Sequence, residues 1–216
     1  MKIAILTTPN QWFIPYAKKL QKDIIESELF LDHKEINSNF DILFILSYHN
    51  IIPQEFLDKN KHNIVIHASA LPKGKGWAPL FWQVLEGKKK IPFSMFEASN
   101  GVDNGNIYMQ KTLKLTGYEL NEELREKQAN HTIDMCLEFI NNYDKYKIPT
   151  PQSGDETFYK KRTSQDSKLD IDKTIKEQFN LLRIVNNDEY PAFFEIDGHR
   201  YILKIELDKM GGGRTY

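Results

Sequence analysis

Ile64-Val65-Ile66-His67-Ala68-Ser69-Ala70-Leu71-Pro72-Lys73-Gly74-Lys75-Gly76-Trp77 decides the fold of this chain. The apolar run at 64–66 reads as a buried strand, and His67 falls where that strand ends. A Gly/Lys-rich turn follows at 73–76, and a helical pattern opens at Trp77 and runs to about residue 86. An imidazole at the carboxyl end of a buried strand, beside a glycine-rich loop, stands where open α/β sheets place their chemistry.

Upstream, Lys2-Ile3-Ala4-Ile5-Leu6-Thr7 reads as a buried first strand, followed by a helix over residues 12–26. Asp41-Ile42-Leu43-Phe44-Ile45-Leu46-Ser47 is a second apolar strand, ending at Tyr48-His49-Asn50, and a short helix follows Pro53. Strand, helix, strand, helix, strand in this order predicts a parallel sheet. Downstream, residues 92–97 and 107–115 are expected to pair as antiparallel strands around the turn-rich segment 99–105. Leu120, Leu124, Ile133, Leu137 and Ile140 are spaced for the buried face of a long helix over 119–142.

Composition shifts at Pro149-Thr150-Pro151-Gln152-Ser153-Gly154, which reads as a linker. Beyond it stand an aromatic-basic cluster at 158–162, a helix over 171–183, and two strand patterns joined by the hairpin signal Asp197-Gly198. The expected fold class is therefore α/β, a mixed, mainly parallel sheet flanked by helices, with a C-terminal helix and hairpin appendage. The expected division is residues 1–148, then 149–210, with a flexible tail at 211–216.

With 216 residues the chain is long enough for one α/β domain and its appendage. The 29 Lys+Arg against 30 Asp+Glu leave a net charge of −1, which lacks the basic footprint of nucleic-acid binders. The one cysteine, Cys136, is expected in a helix core, and a chain with a single cysteine forms no internal disulfide. Residues 2–6 are too short for a signal peptide or a membrane span, so a cytoplasmic protein without membrane attachment is expected. The six histidines and the cysteine show no metal-ligand spacing.

His67 and Asp103 each end a segment that carries a titratable group. Read separately, His67 is a hydrogen-bonded structural residue and Asp103-Asn104-Gly105 a turn. Read together, they are the base and orienter of acyl-transfer chemistry. A serine nucleophile is less natural, because Ser69 does not sit on the strand-to-helix elbow such serines need.

His67-x-Ser69-x-Leu71-Pro72 with Gly76, followed by Val102-Asp103-x-Gly105-x-Ile107, resembles the signature of folate-dependent formyltransferases. The match covers roughly residues 1–140. Phe179-x-x-Leu182-Arg183 and Tyr190-Pro191-x-Phe193 resemble the segment that follows the catalytic domain in the tRNA and sugar members. Leu71-Pro72-Lys73-Gly74-Lys75-Gly76-Trp77-x-Pro79 is most similar to the bacterial sugar enzymes of the pseudaminic-acid pathway, which act on a UDP-linked 4-amino sugar.

The resemblance implies a formyltransferase fold, N10-formyltetrahydrofolate as donor, no metal, and a nucleotide-linked amino sugar as acceptor. It implies that His67 handles the amine proton and that Asp103 orients His67. It also implies that Tyr48, His49, Asn50, Leu71, Ser99 and Gly101 border the folate, with Asp103. One departure stands out: the family usually has asparagine two residues before the histidine, where this chain has Val65. Asn104 and Ser69 are the nearest candidates for a substitute catalytic donor, with Asn63 further from the strand end. Lys73, Gly74, Trp77, Tyr159, Lys160, Arg162 and Phe193 are candidates for the acceptor, on chemistry alone. The 73–76 turn reads either as a flexible solvated turn or as a substrate loop, without Walker A spacing.

The runners-up are a methionyl-tRNA enzyme, disfavoured by charge and by length, and a folate- or nucleotide-binding module that has lost catalysis. Either the 92–115 strands or the C-terminal hairpin would offer a homodimer contact, though no particular residue singles one out.

Overall fold

Three short apolar runs, buried on both faces or nearly so, and one short edge strand lie side by side as the parallel part of a six-stranded sheet. The computed structural model describes residues 1–208. In chain order the first elements are β1 (Ile3–Leu6), α1 (Ile14–Asp23), β2 (Glu28–Phe30), β3 (Ile42–Ile45), α2 (Gln54–Leu57), β4 (His62–His67), β5 (Lys75–Gly76) and α3 (Pro79–Leu85). They continue with β6 (Lys90–Glu97), β7 (Ile107–Lys114), α4 (Asn121–Asn141), α5 (Tyr143–Tyr146), β8 (Phe158–Tyr159), α6 (Phe179–Ile184), β9 (Ala192–Ile196) and β10 (His199–Leu203).

The main sheet runs β2-β1-β3-β4-β6-β7. The pairs β1–β2, β1–β3 and β3–β4 are parallel, whereas β4–β6 and β6–β7 are antiparallel. The sheet is thus mixed and mainly parallel, with β1 and β3 at its topological switch point. Alternation divides the side chains between two cores. Ile3, Ile5, Ile42, Phe44 and Ile64 face a core closed by α1, α3 and α4; Ala4, Leu6, Leu43 and Ile45 face a second core with Phe56 and Leu57 of α2. Each such fully buried large side chain contributes about 1.5–3 kcal/mol relative to exposure. Cys136 lies in the first core, where burial pushes its thiol well above the ordinary range. Among the described residues no helix is long and apolar enough to cross a membrane.

Several elements differ from the sequence expectation. The strand β2 was not foreseen, because Glu28-Leu29-Phe30 is too short for an alternating pattern and owes its form to pairing with β1. The first helix is shorter than 12–26: Pro15 sets its start, and Glu26 turns the chain with φ of 62°. The helix expected over 171–183 is confined to α6. Ile171 and Ile175 are exposed with no core to join, and Gln178 closes the preceding turns through Asp170. The hairpin at Asp197-Gly198 forms as expected between β9 and β10.

The 149–154 segment is tied to the main sheet at Thr150. Thr150 exchanges two backbone hydrogen bonds with Ile107, at 2.7 and 2.9 Å. Residues beyond it build a small cluster of Leu169, Leu182, Val185 and Ala192, while Ile184 of α6 enters the first core. The tail 211–216, expected to be flexible, lies outside the described residues.

Candidate active site

The carboxyl ends of three adjacent parallel strands share one edge of the sheet. There β1 runs into Thr7-Thr8, β3 into Ser47-Tyr48-His49, and β4 ends on His67, at the crevice that open α/β sheets offer to ligands. The His49 N–H donates to Thr8 Oγ1 at 2.9 Å, which ties the first two ends together.

The loop after His67 is held from behind. Ser94 Oγ donates to the Ser69 carbonyl (2.7 Å) and accepts from the Leu71 N–H (3.1 Å), and Gln83 Nε2 donates to the Ala68 carbonyl at 2.6 Å. Of the two readings of the 73–76 turn, the flexible solvated one does not hold. Lys75 is only 1 % exposed, and β5 pairs in parallel with β8. Thr157 completes the clasp: its hydroxyl accepts from the Gly74 N–H at 2.8 Å and its carbonyl from the Lys75 N–H at 2.9 Å.

This clasp sets the imidazole. His67 Nε2 lies 2.9 Å from the Gly74 carbonyl, which only accepts, so Nε2 carries the proton and Nδ1 is the basic nitrogen. Asp103 Oδ2 sits 3.6 Å from the same Nε2 and accepts the Gly76 N–H at 2.8 Å. The Asp103 backbone has φ of 51°, and Gln152 Nε2 donates to the carbonyls of Asp103 (2.7 Å) and Gly105 (2.8 Å). The arrangement can take a proton at Nδ1 and stabilise the resulting imidazolium with a nearby carboxylate.

Val65 packs as a partly buried member of the second core, along with Tyr48 and Ala98. Of the three candidates for its missing amide, Asn63 is committed elsewhere. Its Nδ2 donates to the Leu57 carbonyl and to Glu97, and its Oδ1 accepts from Asn60. Ser69 Oγ is buried with no partner among the described residues. Asn104 accepts the Lys75 ammonium on Oδ1, a contact shared with Glu156 Oε1 at 2.5 Å from the same nitrogen. That leaves the Asn104 amide N–H groups unengaged among the described residues.

The remaining candidates separate by burial. Leu71 is buried behind the loop, and Ser99, Gly101 and Asn50 are exposed at its rim. The Tyr48 hydroxyl turns away to His33 Nδ1 at 2.7 Å, so only its backbone faces the crevice edge. Lys73 and Trp77 are exposed beside the loop. Tyr159 stacks on Trp82 at 6.1 Å and donates to Glu86, Lys160 pairs with Asp166, and Arg162 donates to the Ile184 and Asp166 carbonyls. Phe193 is 0 % exposed and presents no face to a ligand. The residue types at 158–162 could not reveal these internal partners. Sequence reading also missed Gln152 and Thr157, since nothing local marks a side chain whose partner lies 49 or 83 residues away.

Residues 15–139 match the family model described as formyl transferase. Among curated proteins, the methionyl-tRNA formyltransferase of Francisella philomiragia is 32% identical over 162 residues, 74% of this chain and 51% of the relative. That of Thermodesulfovibrio yellowstonii is 32% identical over 152 residues, 69% of this chain and 49% of the relative. The chain thus spans about half the length of the curated relatives it matches. Among solved structures, the methionyl-tRNA formyltransferase from Clostridium thermocellum superposes with a TM-score of 0.80 at 24% identity, over 98% of this chain and 95% of that one. A 4-N formyltransferase from Francisella tularensis gives 0.71 at 17% identity, over 97% and 99%. A structure of Aquifex aeolicus HypX in complex with tetrahydrofolic acid gives 0.76 at 17% identity, over 95% and 37%. These structures share the fold.

Proposed function

Because the chain belongs to the formyl transferase family, we propose that it moves a formyl group from N10-formyltetrahydrofolate to the amine of a nucleotide-linked amino sugar, with a UDP-linked 4-amino sugar as the first candidate. The observation that carries the reading is the His67–Asp103 pair, held at the strand end by the Gly74 carbonyl and the Gly76 N–H. Its arrangement suits proton transfer at an attacking amine.

In this reading the acceptor amine forms the new C–N bond at the formyl carbon while Nδ1 of His67 removes its proton. The imidazolium then hydrogen-bonds the oxyanion that develops there, supported by Asp103. The proton passes on to N10 of the departing folate, whose bond to the formyl carbon breaks. The free Asn104 amide, its orientation fixed by Lys75, and the unpartnered Ser69 hydroxyl are the two side-chain candidates for a second oxyanion donor. The loops at 47–50 and 99–103 offer backbone groups for the pterin, and the tetrahydrofolate held by Aquifex aeolicus HypX supports folate as the carrier for this fold. For the sugar, support comes from the resemblance at Leu71–Pro79 and from the net charge of −1.

The test is a panel of UDP- and TDP-linked amino sugars with N10-formyltetrahydrofolate. Release of tetrahydrofolate above the enzyme-free control is expected with at least one of them, and none across the panel defeats the reading. Formylation of methionyl-tRNA is the second reading, favoured by the curated relatives. Salt-sensitive tRNA binding together with formylated methionyl-tRNA as product would establish it instead.

Gly76 gives a sharper check on the loop. It has φ of 95°, and a Cβ added there would stand 2.5 Å from the Tyr159 carbonyl oxygen. Gly76→Ala is expected to cost about 1–3 kcal/mol of stability. It should also lower kcat by roughly 10²-fold, since the N–H that holds Asp103 must move. An unchanged kcat would show that this hydrogen bond does not position the carboxylate.

A further inference from the structure

Arg125 on α4 holds its guanidinium carbon 4.4 Å from the ring centroids of both Trp12 and Phe81. It is half-buried, and its one polar side-chain contact among the described residues is a 3.5 Å donation to Gln128 Oε1. No carboxylate pairs with it among those residues. Burial accordingly draws its pKa down to about 10, opposed only by the charge of Glu189. The flanking rings attract the cation, but a guanidinium withdrawn from water without an anion remains under-compensated.

Beside Glu189, whose charge opposes that shift, the titratable groups that sense Arg125 lie among basic side chains. His49 has its pKa lowered by burial and then by Lys161 and Arg125, so all three groups share one positive neighbourhood. Lys161 Nζ lies 4.8 Å from the Trp77 ring centroid and forms no ion pair among the described residues. Its neighbour Lys160 is paired, as are the buried Lys75 and Arg183. Trp77 is 47 % exposed and lies 6.4 Å from the His49 ring. It directly follows Gly76, whose N–H holds Asp103, and His49 is tied to Thr8 at the end of β1. Two unpaired cations and two indoles therefore border the crevice that contains His67.

We infer that Arg125, Lys161, Trp12 and Trp77 form a subsite for a nucleoside diphosphate, the cations taking phosphate oxygens and the exposed Trp77 stacking on the base. A planar guanidinium fits two phosphate oxygens at once, and an exposed indole stacks on any base. The inference rests on the nucleotide-linked acceptor proposed above and assigns the part of the site that holds its nucleotide.

Calorimetric titration of the full chain with UDP and with TDP tests it. The wild type should bind at least one of them. Arg125→Met, which keeps an aliphatic stem between the rings, should weaken that binding roughly tenfold or more, and Lys161→Ala several-fold. His67→Ala should bind the nucleotide as the wild type does. If Arg125→Met fails to fold, the surface variants Lys161→Ala and Trp77→Leu carry the measurement. The subsite is overturned if the wild type binds neither nucleotide at about 1 mM, if the folded variants bind as tightly as wild type, or if Arg125→Met weakens tRNA binding and not nucleotide binding. The two failures are distinguishable. Turnover of a UDP- or TDP-linked amine whose KM is unchanged by Arg125→Met sinks the subsite alone. Nucleotide binding lost in Arg125→Met, without turnover of any nucleotide-linked amine, sinks the acceptor reading alone.

Discussion

His67→Ala is expected to reduce tetrahydrofolate release by roughly 10²–10⁴-fold, the usual scale for a positioned acid-base group, with little change in melting temperature. The small structural cost follows from the local contacts. The His67 side chain makes one hydrogen bond, from Nε2 to the Gly74 carbonyl, while the loop is separately secured by Ser94, Gln83 and Thr157. The large chemical cost follows from Nδ1, the nitrogen left to take a proton. In the proposed reaction Asp103 steadies the imidazolium, so Asp103→Asn should lower kcat more than it changes KM. Turnover of the folded His67→Ala protein within about threefold of wild type would contradict the proton-handling role, since acid-base groups contribute far more than that.

Breaking the Glu119–Arg183 pair is expected to have the largest effect on stability. Their side chains are 4 % and 3 % exposed, and Arg183 Nη2 meets Glu119 Oε2 at 3.2 Å. Arg183 Nε also donates to the Glu119 carbonyl at 2.9 Å, while the N–H groups of Thr116 and Gly117 donate to the carboxylate. This pair joins α6, and with it the C-terminal segment, to the start of α4. Glu119→Ala leaves the Arg183 charge buried and unpaired, at a cost of about 3–5 kcal/mol; Arg183→Ala costs less, because Lys127 Nζ remains 3.7 Å from Glu119 Oε1. For a chain of this size the Glu119→Ala cost corresponds to a fall in melting temperature on the order of 10 °C.

The same carboxylate predicts an acid limb. Burial pushes Glu119 upward, but the backbone donors at Thr116 and Gly117 outweigh it and hold the group at about 2. Its folded pKa therefore lies below its unfolded value of about 4.3. The stability it contributes is complete above the unfolded value and is lost as pH falls from there through about 2. Stability measured against pH should fall less steeply across that window in Glu119→Gln than in wild type. A melting temperature of Glu119→Ala within about 2 °C of wild type would show that the pair is not what docks α6.

Much of the sheet was legible because it is written in short periods. Ile42–Ile45 and Ile64–Ile66 are apolar without alternation, as strands buried on both faces must be. His67 and Asp103 could be paired from the sequence because their motifs carry a recognisable spacing. The Asp197-Gly198 hairpin was legible because only two residues decide it. Where local patterning was absent, the reading failed: β2 depends on its neighbour, and the exposed Ile171 and Ile175 imitate a helix face that nothing covers.

The sequence by itself determined the α/β class, the strand that delivers His67, and the resemblance that pairs it with Asp103. The tertiary structure alone decided how that imidazole is oriented. Thr157 reaches Gly74 across 83 positions, Gln152 reaches Asp103 across 49, and Arg125 crosses from α4 to Trp12 beyond the first strand. Periodicity reports which face of an element is buried, because burial repeats with the local geometry of helix or strand. A hydrogen bond or an unpaired charge is set by which distant groups the packed chain brings within about 3 Å, and no local period records that.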